Sequence, residues 1–149
     1  MIEAKLTDAK LARTRRNLER LAGELTNPVQ ANKAAATAIY GWTMRNYDAE
    51  GVHQKPRWPA LAERTVKRKA RKGKEKMLVM SGHMRASILP FWSKDNAGVG
   101  SEVEYAAHHE EGRKHLPQRK ILPTERVVAE TGLKVYGYYV SEAVKRANV

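Results

Sequence analysis

The chain has 149 residues, enough for one modest hydrophobic core, and no cysteine, which excludes disulfides and thiolate metal sites. Its formal charge is +12 and lopsided: residues 1–80 carry 18 Lys and Arg against 8 Asp and Glu, whereas residues 81–149 carry 10 against 8. One basic surface, facing nucleic acid or an acidic protein, is therefore expected; a membrane partner is not, because the basic run has no accompanying aromatic or leucine face, and no apolar run approaches the roughly 20 residues of a span.

Leu6, Leu11, Leu18 and Leu21 are separated by polar residues, unlike a secretory leader, so a soluble, intracellular chain is expected. Asp8 can cap a first helix with Leu11, Leu18, Leu21 and Leu25 on one face and Arg13, Arg15, Arg16, Glu19, Arg20 and Glu24 on the others. Asn27-Pro28 reads as a stop and restart, with Asn27 as N-cap and Pro28 in the first helical position. A second helix then runs through Ile39 and Trp42 towards Tyr47, and its many alanines allow a neighbouring helix to approach closely. The two are expected to form an antiparallel helical hairpin within residues 1–50.

Residues 48–59 lose periodicity and contain Gly51, Pro56 and Pro59, which indicates an irregular connection. A helix is expected to restart at Trp58 with Pro59 in its first turn. Residues 64–76 hold Arg64, Lys67, Arg68, Lys69, Arg71, Lys72, Lys74 and Lys76 against one acid, broken by Gly73. This reads as a helix end dissolving into a mobile loop, or as a disordered basic arm.

The apolar segment Met77-Leu78-Val79-Met80 leads to Ser81, an N-cap candidate for a short helix carrying Met84, Ala86 and Ile88. Residues 88–93 look extended, with Pro90 marking an edge or bulge; Asp95-Asn96-Ala97-Gly98 supplies a turn, and Val99-Gly100-Ser101 returns. Residues 104–111 suit a helix stopped by Gly112. A polar, Pro-flanked loop follows over 113–123, then a helical turn at 124–130. A final helix is expected to hold Leu133, Tyr136, Val140, Ala143, Val144 and Ala147 on one face. The fold class is α+β: a small antiparallel β-sheet covered by helices, with the N-terminal hairpin and a long C-terminal helix, in one domain over 1–149.

The most enzyme-like feature is His108-His109-Glu110-Glu111 with His115. A zinc-protease helix needs a second His four positions after the first, but Gly112 follows His108 and Arg113 follows His109 at that spacing. No phosphate-cradling glycine loop and no nucleophile elbow occur. No catalysis, cofactor or metal is expected. The basic run is the stronger candidate: Lys and Arg neutralise phosphates and gain affinity by counterion release without reading sequence. Trp58 and Trp92 lie outside that run and read as core or interface anchors.

One ordered set of motifs resembles the phage virion morphogenesis family, the tail-completion and neck class of tailed-phage proteins. Members open with Trp-x-Pro-Leu or a close variant, then Thr and a basic helix; here Trp58, Pro59, Leu61, Thr65 and Lys67-Arg68-Lys69 stand in that order. Thr-Gly-x-Leu-x-x-Ser-Ile is matched by Ser81-Gly82-His83-Met84-Arg85-Ala86-Ser87-Ile88, with Ser81 for Thr and Met84 for Leu. Val99-Gly100 follows, then Tyr105-Ala106 with His109 and Gly112, then Pro117 and Arg119 before Ile121-Leu122. Where members carry Pro-Phe after that Arg, this chain has Lys120-Ile121.

The resemblance covers residues 57–123. It implies a structural virion protein that completes the tail or joins it to the head, as one subunit of a ring, with a hexamer favoured. The implied partners are further copies of the chain, tail tube or terminator proteins, head–tail connector proteins and the DNA backbone in the lumen; the implied place is the virion neck or tail end, after assembly in the host cytoplasm. Trp58, Ser81, Gly82, Ser87, Tyr105, His109, Gly112, Pro117 and Arg119 are the candidate subunit-interface residues. A free nucleic-acid-binding protein acting through residues 64–76 is the alternative, and a metal-dependent hydrolase using His108, His109 and Glu110 a third.

Overall fold

The computed structural model describes residues 8–113 and 115–147, so Leu6, Lys114 and the last two positions of the expected C-terminal helix lie outside the described residues. Among the described residues, six helices and one two-stranded antiparallel sheet follow in the order α1 (Asp8–Leu25), α2 (Val29–Asp48), α3 (Glu63–Ala70), α4 (His83–Ala86), β1 (Ile88–Trp92), β2 (Ala97–Ser101), α5 (Glu104–Glu111) and α6 (Glu125–Ala147). The architecture is α+β, with the N-terminal hairpin α1–α2 and the long C-terminal helix.

Helix α2 is the centre. It packs against both strands on one side and against α6 on the other, and α6 also lies along α1. Small side chains make this possible: Ala31, Ala35 and Ala36 of α2 and Ala143 and Ala147 of α6 are all buried. The other end of α2 enters the main core, where Met44 and Tyr47 meet Trp58, Met84, Ile88, Ala106 and Ile121. Tyr47 and Trp58 stack edge to face at 5.6 Å, a geometry that the ring quadrupoles favour. The Tyr47 hydroxyl donates to the Leu78 carbonyl at 2.9 Å, and burial pushes its pKa up to about 12.

The hairpin pairs Ile88 with Ser101 and Trp92 with Ala97. Its turn is closed by Ser93, whose Oγ accepts from the Asp95 and Asn96 amides, and it is fastened to α2 by Asn32, whose amide donates to the Ser93 and Lys94 carbonyls. Phe91 covers Gly98: a Cβ built there would stand 2.6 Å from the ring. The glycine leaves room for the cross-strand aromatic.

Several expectations need correction. Pro28 stands at the cap of α2 and Asn27 only accepts from the Val29 amide at 3.4 Å. Residues 58–62 are not helical; α3 begins at Glu63, because the Arg119 guanidinium takes the Pro59 and Ala60 carbonyls at 3.0 Å each. The basic run opens on a helix end, as one of the two expectations had it, and goes on into a defined turn. It is α3 followed by a Schellman turn: Lys74 N–H donates to the Lys69 carbonyl, Gly73 N–H to Ala70, and Gly73 is left-handed at φ 60°. The residue at the cap of α4 is Gly82, at φ 81°, while Ser81 Oγ accepts from the His83 amide at 3.3 Å. The turn at 124–130 and the final helix are one helix, α6, and Leu133, expected on its inward face, is 74% exposed. The leucines of α1 also stay partly in solvent; none of its residues is buried.

Candidate functional site

The motif residues divide into those that hold the fold together and those that line a cleft. Residues 117–122 form a strap under α5. Glu110 Oε2 accepts from the amides of Ile121 at 2.6 Å and Leu122 at 3.1 Å, and the Arg119 amide donates to the His109 carbonyl at 2.8 Å. From the far side, Trp58 Nε1 donates to the Lys120 carbonyl at 2.7 Å and Gln54 Nε2 to the Leu122 carbonyl at 3.1 Å. Gln54 is itself fixed by Asn46 at 3.0 Å. Gly112 ends α5 in the left-handed region, where a Cβ would press on the Gln118 backbone at 2.9 Å. Trp58, Gly112 and Arg119 are thus parts of the subunit's frame; Trp58 and Arg119 are buried. Ser87 also works inside the frame, bonding the Met84 carbonyl and Ser101 Oγ, both at 2.7 Å.

The other motif residues meet at a cleft of about 630 Å³ between α3, residues 78–84, α5 and the loop before Arg119. Ser81, Gly82, Tyr105, His109 and Pro117 line it. Tyr105 is partly exposed and its hydroxyl meets His83 Nδ1 at 2.9 Å. His109 points a buried Nδ1 that finds no hydrogen-bond partner among the described residues. Burial, then the nearby Arg119 and His108, lowers its pKa and so favours the neutral ring. Met80, Leu116 and His115 also line the cleft. The family motifs include none of the three: Met80 and Leu116 sit at unremarkable places in loop sequence, and His115 drew notice only beside the histidine–acid cluster.

Among the described residues no three His, Asp or Glu side chains gather to hold a metal. Glu110, which the hydrolase alternative needs beside His108 and His109, is engaged in capping Ile121 and Leu122.

Seven of the eight basic candidates are exposed on α3 and the turn after it. Arg64, Arg68 and Arg71 recur at helical spacing and, with Glu63 and Lys67, line a shallow groove. Lys67 is paired with Glu63 at 2.7 Å. Lys69 is the correction. It is buried, and its Nζ donates to the Val79 carbonyl at 2.7 Å. Desolvation lowers its pKa, with Arg68 adding to the effect and Glu50 opposing it. It tethers α3 to the core and does not project with its neighbours.

No helix among the described residues is long and apolar enough to cross a membrane. The model of one family, described as the phage virion morphogenesis family, matches residues 9–135. The match reaches well beyond residues 57–123 and takes in α1, α2 and the first part of α6. No curated protein and no solved structure is significantly similar to the chain.

Proposed function

Because the chain belongs to the phage virion morphogenesis family, we propose that it is a structural subunit of the tailed particle, completing the tail or joining it to the head as a ring at the neck, with six copies favoured. The observation that carries this reading is the family match over most of the chain, 9–135. The cleft supports it: Ser81, Tyr105 and Pro117 are motif residues that leave their surfaces exposed around a concave site, while their companions Trp58 and Arg119 are used up inside the fold. Tail tube or terminator proteins and head–tail connector proteins are the partners such a subunit meets.

Electron microscopy of particles from a phage lacking only this gene tests the reading. Filled heads beside unattached tails, or tails of uncontrolled length, are the expected result. Normal infectious particles would overturn it.

A second reading rests on α3. Arg64, Arg68 and Arg71 form an exposed cationic stripe that matches phosphate neutralisation without sequence readout. In a neck ring this stripe would face the DNA in the lumen; in a free protein it would be the whole function. Binding of the purified chain to duplex DNA at several salt concentrations, together with the deletion phenotype, separates the two.

A further inference from the structure

Helix α5 divides the charge of the molecule. Tyr105 and His109, four positions apart, share one face, and Glu104 and Glu111, seven apart, share another. The first face looks into the 630 Å³ cleft, which is lined by five basic or imidazole side chains (Arg68, Lys69, His109, His115 and Arg119) and by no carboxylate. Arg119 hydrogen-bonds only to carbonyls through its side chain, so its buried charge meets no acid there. The floor is apolar: Met80, Tyr105 and Leu116 are each partly exposed into it.

The second face looks into a groove of about 250 Å³ with the opposite character. Glu102, Glu104, Glu110 and Glu111 line it, together with Val103 and Leu122, and no Lys or Arg does. On a chain of net charge +12 this is an unusual concentration. Glu110 is engaged with backbone amides and Glu111 with Arg113. Glu102 and Glu104 make no hydrogen bond or ion pair among the described residues, although the charge of Glu104 is felt by Arg113.

We propose that these two surfaces are the two halves of one head-to-tail contact: the Glu102-Val103-Glu104 segment of one copy seats in the cationic cleft of the next. An apolar residue between two carboxylates fits an apolar floor with the exposed Arg68 at its rim and the buried charges of Lys69 and Arg119 behind it. Two different patches on one subunit are what a cyclic ring requires, since a heterologous interface repeats until the rotation closes. The contact rests on the ring reading above and names its surfaces. Arg64 and Arg71 lie outside the cleft and stay free for DNA.

The test uses particles of a phage lacking the gene, complemented with the full chain carrying Ser81→Cys at the cleft and Ala107→Cys in the acidic groove, positions beside the contact charges that leave Arg68 and Glu104 in place. The natural chain has no cysteine, so a short bis-maleimide followed by detection of this chain reports only the introduced pair. Either cysteine alone can give at most a dimer; both together are expected to give a ladder in steps of 16.8 kDa. The chain present in particles with nothing above a dimer would overturn the contact while leaving the virion role intact. The wild-type chain missing from particles would overturn the virion role, and this contact with it. Charge exchange tests the same contact without cysteines. Arg68→Glu alone and Glu104→Arg alone are each expected to cut the yield of tailed particles at least tenfold, and both on one chain to restore it. A double variant as defective as the singles would overturn the proposal.

Discussion

The indole N–H of Trp58 donates to the carbonyl of Lys120 across 62 positions of sequence, at 2.7 Å. That bond joins the irregular connection after α2 to the strap beneath α5, and the ring also supplies the edge-to-face partner of Tyr47. Trp58→Phe keeps most of the apolar contact but leaves the carbonyl without this donor. It is expected to cost about 1–2 kcal/mol in urea unfolding; Trp58→Ala adds a cavity and should cost about 3–5 kcal/mol.

Gly51 lies against that indole. Its φ is 78°, and a Cβ would stand 2.4 Å from ring carbons of Trp58. Gly73 has a similar φ of 60° but open space around it. Gly73→Ala is therefore expected to cost only the left-handed strain, about 1 kcal/mol. Gly51→Ala adds overlap with a buried ring and should cost clearly more, above about 2 kcal/mol. Equal losses for the two in thermal or urea unfolding would show that the indole moves freely out of the way.

Asp48 receives a paired hydrogen bond from Arg85, both contacts at 2.8 Å. Hydrogen bonding to Arg85 is the main cause that lowers the Asp48 pKa below its ordinary 3.8. A carboxylate whose folded pKa is depressed stabilises fully above the unfolded value and loses that contribution as pH falls through the folded one. Both side chains are more than a third exposed, so solvent holds the effect to under about 1 kcal/mol. Asp48→Asn is expected to unfold slightly more easily than the natural chain at pH 7 and equally below the folded pKa. Parallel urea curves that stay separated at low pH would refute the linkage.

The cations of residues 64–76 should split into two kinds. Replacing Arg64, Arg68 and Arg71 together with Ala is expected to leave stability nearly unchanged. If each contacts a phosphate, it should flatten the salt dependence of DNA binding by about 0.9 per contact in log–log slope. Lys69→Ala should do the reverse, with little change in the slope and a loss of about 1–3 kcal/mol, because the Val79 carbonyl loses its donor in a packed place. Titrations at several salt concentrations beside unfolding curves distinguish them.

Local chemistry made much of the fold legible. The helix stop at Gly112 follows from glycine's tolerance of left-handed backbone, and the hairpin from Pro90, a polar turn and small residues opposite Phe91. What stayed hidden depends on partners distant in sequence. No local pattern shows that Arg119 will occupy the carbonyls of Pro59 and Ala60 and keep residues 58–62 out of a helix. Lys69 looks like its neighbours until Val79 folds back onto it. The turn expected at 124–130 and the final helix run on as one through Gly132, since packing against α1 and α2 outweighs one glycine.

The candidate site was legible in the same uneven way. Tyr105, His109 and Pro117 carried the motif and do line the cleft, yet Met80, Leu116 and His115 join it only through folding. The acidic groove had a signal in the spacing of Glu104 and Glu111 against that of Tyr105 and His109, which separates two flanks of one short helix.

The Lys69 tether and the Schellman turn at Gly73 give the basic run a property that a tail of the same composition lacks. Arg64 to Arg71 is a stiff comb about 10 Å long, at 1.5 Å per residue, and it is anchored from below by a buried ammonium. Its ordering entropy is lost once, when the subunit folds, and not again at each encounter. A surface built this way would offer any polyanion a fixed template, so a grip on one would depend on the angle at which the helix is presented.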